Sequence, residues 1–163
     1  MIENLVYRTL DKLNIEYKIL EHPPVPTIKE ALIHWKNIKC THCKNLFFRN
    51  HKGNKHFLVI LEYSHELNIK DLEQRLRQGK ISFASGKRLM KYLGLSPGSV
   101  SPFGLINDKE HEVHVFIDDN LQKADRISFH PNINTKSLML SFKDFLKYLD
   151  WTTNTIEFRK LYE

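Results

Sequence analysis

Only two of the 163 residues are cysteine, Cys40 and Cys43, too few for the disulfide frameworks that hold small secreted domains together. No apolar run approaches the roughly 18 residues that read as a bilayer-crossing helix, and the N-terminus lacks the apolar stretch of a secretory signal. A reducing cytoplasm and no membrane partner are therefore expected. A GxSxG nucleophile elbow, a Walker loop and a dinucleotide fingerprint are all missing. Repeats and low-complexity segments are missing as well.

What is present suits one soluble domain over residues 1–163 with a substantial core, since 41% of the residues are hydrophobic and 27% charged. Lys and Arg number 25 against 19 Asp and Glu, a formal net charge of +6. A polyanionic partner fits that balance, because phosphate contacts supply most nonspecific nucleic-acid affinity. The charge alone does not decide the matter, for the chain carries no arginine-rich tail and no lysine run.

Hydrophobic spacing predicts a packing helix over residues 2–13, from Ile2, Leu5, Val6, Leu10 and Leu13. A short strand follows at Tyr17–Leu20, then an extended His22–Pro26 connection and a capping box from Thr27 to Glu30 opening a short helix through Trp35. Cys43–Arg49 and Phe57–Leu61 read as antiparallel strands across a polar turn at His51–Lys55. A helix over Asn68–Gln78 is expected to stop at Gly79, and one over Ser85–Leu93 to end at Gly94. Strands are expected at Ile81–Phe83, Val113–Ile117, Ile127–Phe129 and Leu138–Leu140, and Ser141 caps a core-closing helix. The tail from Trp151 is left to dock on the body or to pair with a partner.

The stretch Gly94–Asp108, GLSPGSVSPFGLIND, is punctuated by glycine and proline. Gly98, Gly104, Ser99 and Ser101 allow a ligand close to the backbone, while Pro97 and Pro102 stiffen the path. N–H donors held still in this way can bind an oxyanion or a carbonyl. The same composition also suits a plain tight connection. Paired acids Asp118 and Asp119 fall in a turn, where capping explains them. Cys40 and Cys43 would need two further ligands to hold zinc, from His34, His42, His51 or His56, and no second pair has the usual spacing.

Three separated segments change the weight of these readings: KNLFFRN from Lys44, PGSVSPFGLIND from Pro97 and FHPNINT from Phe129. In this order they resemble the YbaK/ProX family of free-standing aminoacyl-tRNA editing domains, from about Glu21 to the helix near Asp144. The resemblance implies an α/β single-domain fold, a mixed, mainly antiparallel sheet curved into a partial barrel with surrounding helices. It implies a metal-independent aminoacyl-tRNA deacylase with no cofactor. Its partners would be mischarged tRNA(Pro) and prolyl-tRNA synthetase.

The family's decisive lysine falls on Lys44, with Asn45 as a neighbouring donor. The loop of Gly98, Ser99, Val100, Ser101 and Pro102 would present amides to the carbonyl or the developing oxyanion, and His130 would orient water or substrate. Thr27, at the entrance segment EHPPVPT, and Phe103 and Gly104, after the loop, complete the expected substrate side. Lys87, Arg88 and Lys91, on the helix before the loop, would steer the acceptor stem. The PGSVSPFGL and FHPNINT segments look more like the ProX branch, which removes alanine from tRNA(Pro), than the YbaK branch, which removes cysteine. Rival readings are a Cys-tRNA(Pro) deacylase, a binding module that has lost hydrolysis, and a small zinc-stabilised protein.

Overall fold

The run Phe57–Leu61 has no polar alternation, and the fold supplies the reason: its strand is covered on both faces. The computed structural model describes residues 1–24 and 39–163. Its elements are, in order, α1 (Ile2–Lys12), β1 (Lys18–Glu21), β2 (Thr41–Asn50), β3 (His56–Glu62), α2 (Ile69–Leu76), β4 (Ile81–Phe83) and α3 (Gly86–Leu93). There follow a 3-10 helix (Pro102–Asn107), β5 (Val113–Asp118), a second 3-10 helix (Asp119–Lys123), β6 (Arg126–Phe129), β7 (Lys136–Ser141), α4 (Phe142–Thr152) and β8 (Ile156–Arg159). The expected capping box from Thr27, the helix through Trp35, and His34 lie outside the described residues.

All eight strands among the described residues join one sheet in the order β1-β7-β6-β2-β3-β5-β8, with β4 beside β2. β1–β7, β6–β7, β2–β3 and β2–β4 pair antiparallel, while β2–β6, β3–β5 and β5–β8 pair parallel. The sheet is mixed, as expected, and its path stays open from β1 to β8 instead of closing into a barrel. On one face lies a core of Val6 and Leu10 from α1, Leu89 and Leu93 from α3, and Phe142, Phe145 and Tyr148 from α4. On the other, Leu72 and Leu76 of α2 cover Phe48, Phe57, Val59 and Phe116.

The caps fall where small polar residues precede apolar periodicity. Asn68, Ser85 and Ser141 each accept a backbone N–H of the first helical turn, from Asp71, Arg88 and Asp144. The stop of α2 differs from expectation, for Arg77 takes the left-handed position at φ 56° two residues before Gly79. The C-terminal tail docks on the body. β8 lies parallel to β5, and the Leu161 amide donates to the buried Asp118 carboxylate at 2.9 Å. The other oxygen of Asp118 caps the following turn at Asn120, so capping is what this acid does.

Candidate functional site

Period-2 alternation along β2 sends its residues to opposite faces of the sheet. Cys43, Asn45 and Phe47 lie opposite Glu62, Ile60 and Leu58, on the side of the core that holds Phe103 and packs Val100. Lys44, Leu46 and Phe48 lie opposite Leu61, Val59 and Phe57, on the side covered by α2. Lys44 is half-buried, and its amine donates to the His65 carbonyl. The His65 ring stacks on Tyr162 with centroids 3.5 Å apart.

Beside Lys44 the start of β2 meets the end of β6. His42, Cys43, Asn45, Ser128, Phe129, His130 and Ser137 line a cavity of about 30 Å³, room for one small group such as a water or a methyl. His42 Nδ1 and Ser128 Oγ are 2.6 Å apart. His130 Nδ1 lies 2.9 Å from the Lys136 carbonyl, which can only accept, so Nδ1 carries the proton and Nε2 the lone pair. By the same logic His22 donates from Nδ1 to the Pro23 carbonyl, and its Nε2 accepts from the Ser137 hydroxyl at 3.0 Å. Buried Asn45 Oδ1 has no hydrogen-bond partner among the described residues. A wider cleft of about 470 Å³ opens alongside, lined by Glu21, His22, Thr135 and Lys136.

Burial holds the His42 imidazole down to about 4 from its ordinary 6.5. His130 is also lowered, by burial first and by His22 after it, against the pull of the Lys136 carbonyl. His56 drops to about 4 through burial and the nearby Arg88, Lys91 and Arg49. Groups that resist protonation in the fold but accept it when unfolded make stability rise with pH between the two values. The stability is complete above about 6.5 and drains away as the pH falls toward 4. The urea midpoint should therefore drop between pH 7 and pH 4.5, and His42→Gln should flatten that dependence; an unchanged slope would refute the assignment.

The glycine-rich loop is built as a brace. Gly98 sits at φ +90°, where a side chain is strained. The Ser99 amide closes a turn on the Ser96 carbonyl, and the buried Ser101 hydroxyl accepts from the Phe103 amide. Among the described residues no backbone carbonyl accepts from Gly98, Val100 or Ser101. Pro102 opens the 3-10 helix, and its carbonyl accepts from the Tyr148 hydroxyl at 2.8 Å. The loop and the FHPNINT turn come together: Asn132 donates from Nδ2 to the Phe103 carbonyl at 3.3 Å, and a Cβ added at Gly98 would lie 3.9 Å from Asn134.

Phe103 and Gly104 belong to the core. The Phe103 ring is fully buried between Phe129 and Tyr148, with centroids at 6.0 and 5.2 Å. A Cβ on Gly104 would meet Leu95 at 2.7 Å and the Leu93 backbone at 3.2 Å. Arg88 donates to the Gly53 carbonyl and to His56 Nε2, Lys91 lies 5.2 Å over the Tyr92 ring, and Lys87 is exposed. Thr27 lies outside the described residues. Burial raises both the Cys40 and Cys43 thiols, and no three metal-ligating side chains converge among the described residues.

Sequence reasoning passed over His22, Ser128 and Ser137, and weighed His42 only as a zinc ligand. The signal that points to two of them is the strand period itself: His42 stands two residues before Lys44, and Ser128 two before His130, so each shares a face with its partner.

Residues 22–148 match the family model of the aminoacyl-tRNA editing domain. The chain is 40% identical over 153 residues to the prolyl-tRNA editing protein ProX of Acetoanaerobium sticklandii, covering 93% of each protein. It is 30% identical over 147 residues to prolyl-tRNA synthetase associated domain-containing protein 1 of Mus musculus, covering 88% of this chain and 86% of that one. A crystal structure described as a candidate trans-editing enzyme for prolyl-tRNA synthetase shares the fold, with a TM-score of 0.72 at 19% identity over 98% of this chain and 96% of that one.

Proposed function

The chain belongs to the aminoacyl-tRNA editing domain family, and we propose that it is a trans-acting deacylase of the prolyl-tRNA system that removes alanine from mischarged tRNA(Pro). The observation that carries this reading is the small cavity lined by Asn45 and His130, with Lys44 next to Asn45 in β2 but on its opposite face. Its volume of about 30 Å³ admits a methyl group and is too small for a pyrrolidine ring, so correctly charged prolyl-tRNA would be spared by size.

The bond to be broken is an ester on a ribose hydroxyl, already activated, so positioning and charge stabilisation suffice and no step draws on a metal or a side-chain nucleophile. Water attacks the carbonyl carbon, the bond to the ribose oxygen breaks, and that oxygen takes a proton. The products are alanine and free tRNA. Neutral His130, with its lone pair on Nε2, holds the attacking water. Lys44 leaves β2 on the face opposite Asn45 and the loop, so its flexible four-carbon stem gives up the His65 carbonyl and reaches round the start of the strand to the ester oxygen or the terminal phosphate. The unengaged amides of Gly98, Val100 and Ser101 receive the developing oxyanion. Prolyl-tRNA synthetase is the source of the mischarged substrate, and the cytoplasm is the compartment of both.

Ala-tRNA(Pro), Cys-tRNA(Pro) and Pro-tRNA(Pro) offered side by side test the reading. Ester loss should be fastest for alanine, at least about tenfold over the other two, the discrimination that one or two methylene-sized differences supply. Faster loss of cysteine would make the chain a Cys-tRNA(Pro) deacylase, and tight tRNA binding without any cleavage would make it a binding module.

A further inference from the structure

The β2–β3 turn and α3 gather positive charge, and the one acid that shares a cleft with it among the described residues is Glu112, beside Lys55. Arg49 stands one residue before the end of β2, Lys52 and Lys55 stand exposed on the turn, and Lys87, Arg88 and Lys91 come from α3. None of the six makes an ion pair with an acid among the described residues. A Cβ placed on Gly53 would meet Arg88 Nη2 at 2.9 Å and Arg49 Nη1 at 3.1 Å, so the two guanidinium groups converge on one glycine. Arg88 is braced there by the Gly53 carbonyl at 2.9 Å and by His56 Nε2 at 3.0 Å. The acceptor role of that nitrogen keeps His56 from adding its own charge to the cluster.

Converged cations without acidic partners repel one another, and a folded chain holds them together at a cost that an anionic ligand relieves. Two guanidinium forks with flanking ammonium groups fit phosphodiester oxygens. The patch also adjoins the glycine-rich loop: a Cβ on Gly86, at the start of α3, would lie 3.5 Å from Pro97, and α3 itself runs into Gly94. We propose that the β2–β3 turn and the exposed face of α3 form a docking surface for the phosphate backbone of the RNA stem whose aminoacylated end reaches the loop. The RNA identity rests on the editing reading above, whereas the anion-docking surface rests on the charges alone.

The test is Lys52→Ala/Lys55→Ala, two exposed turn positions remote from the cavity. Binding of uncharged tRNA(Pro) is measured across a salt series, and deacylation is measured on full-length Ala-tRNA(Pro) and on an alanylated CCA trinucleotide that lacks the stem. The slope of log affinity against log salt should shrink by about 2, close to one per lysine, and tRNA affinity in low salt should fall on the order of tenfold or more. Turnover of full-length substrate should fall with it, while the trinucleotide is cleaved at the wild-type rate. An unchanged slope, or equal loss on both substrates, overturns the proposal. Loss of co-sedimentation with prolyl-tRNA synthetase at an unchanged RNA slope overturns it in favour of a protein partner. If wild-type protein cleaves no ester, the editing reading fails while the salt series still decides the surface.

Discussion

Lys44→Ala will lower kcat/KM for Ala-tRNA(Pro) by about 10²–10³-fold, the loss typical of removing one preorganised group that meets developing charge. The fold will survive it. Lys44 is half-buried at the edge of the second core, and its one described hydrogen bond, from a charged donor to the His65 carbonyl, is worth about 1.5–3 kcal/mol. The two effects separate cleanly: single-turnover deacylation reads the first and a thermal melt the second. Lys44→Arg should restore the charge but little of the rate, since a planar fork cannot replace a compact ammonium at one oxygen. Wild-type turnover by Lys44→Ala, with a lowered melting point, would mean that the lysine serves only to tie down the turn after β3.

The second large effect is on stability. Phe103→Ala will cost about 3–5 kcal/mol, the range for truncating a buried aromatic residue, because the ring is fully buried against Phe129 and Tyr148. Its main chain is tied on both sides as well, by Ser101 and Asn132. Phe103→Leu keeps most of the apolar volume and should cost about 1–2 kcal/mol with deacylation at wild-type levels. That variant distinguishes the two uses of the residue. A ring that touches substrate would show a raised KM in Phe103→Leu, whereas a ring that only packs would leave KM unchanged and lower the urea midpoint.

Local rules made most of the architecture readable. Ser85 and Gly94 bracket α3 because a hydroxyl satisfies the first free amides and glycine accepts the left-handed stop. The strand pair β2–β3 followed from two apolar runs across a polar turn. The loop from Gly94 to Asp108 read as irregular throughout, yet Pro102–Asn107 winds into a buried 3-10 helix. Its apolar residues are too few to show a period, and their helix forms because Tyr148, Asn132 and the Leu93–Leu95 segment close around it.

The fate of the tail was open in the same way. Ile156–Arg159 is too short to declare a strand alone, and it becomes one because β5 offers an edge to pair with.

Residue order by itself determined α1 to α4, the strands β1 to β7, the caps at Asn68, Ser85 and Ser141, and the motifs at Lys44, Gly98 and His130, since each depends on neighbours a few positions away. Tertiary structure alone decided that Phe103 and Gly104 are core, that Asn45 and His130 share a cavity, and that Arg49 and Arg88 converge on Gly53. Those facts depend on which strands pair and in what register, and a register is set by the burial of the whole sheet, not by any one segment of it.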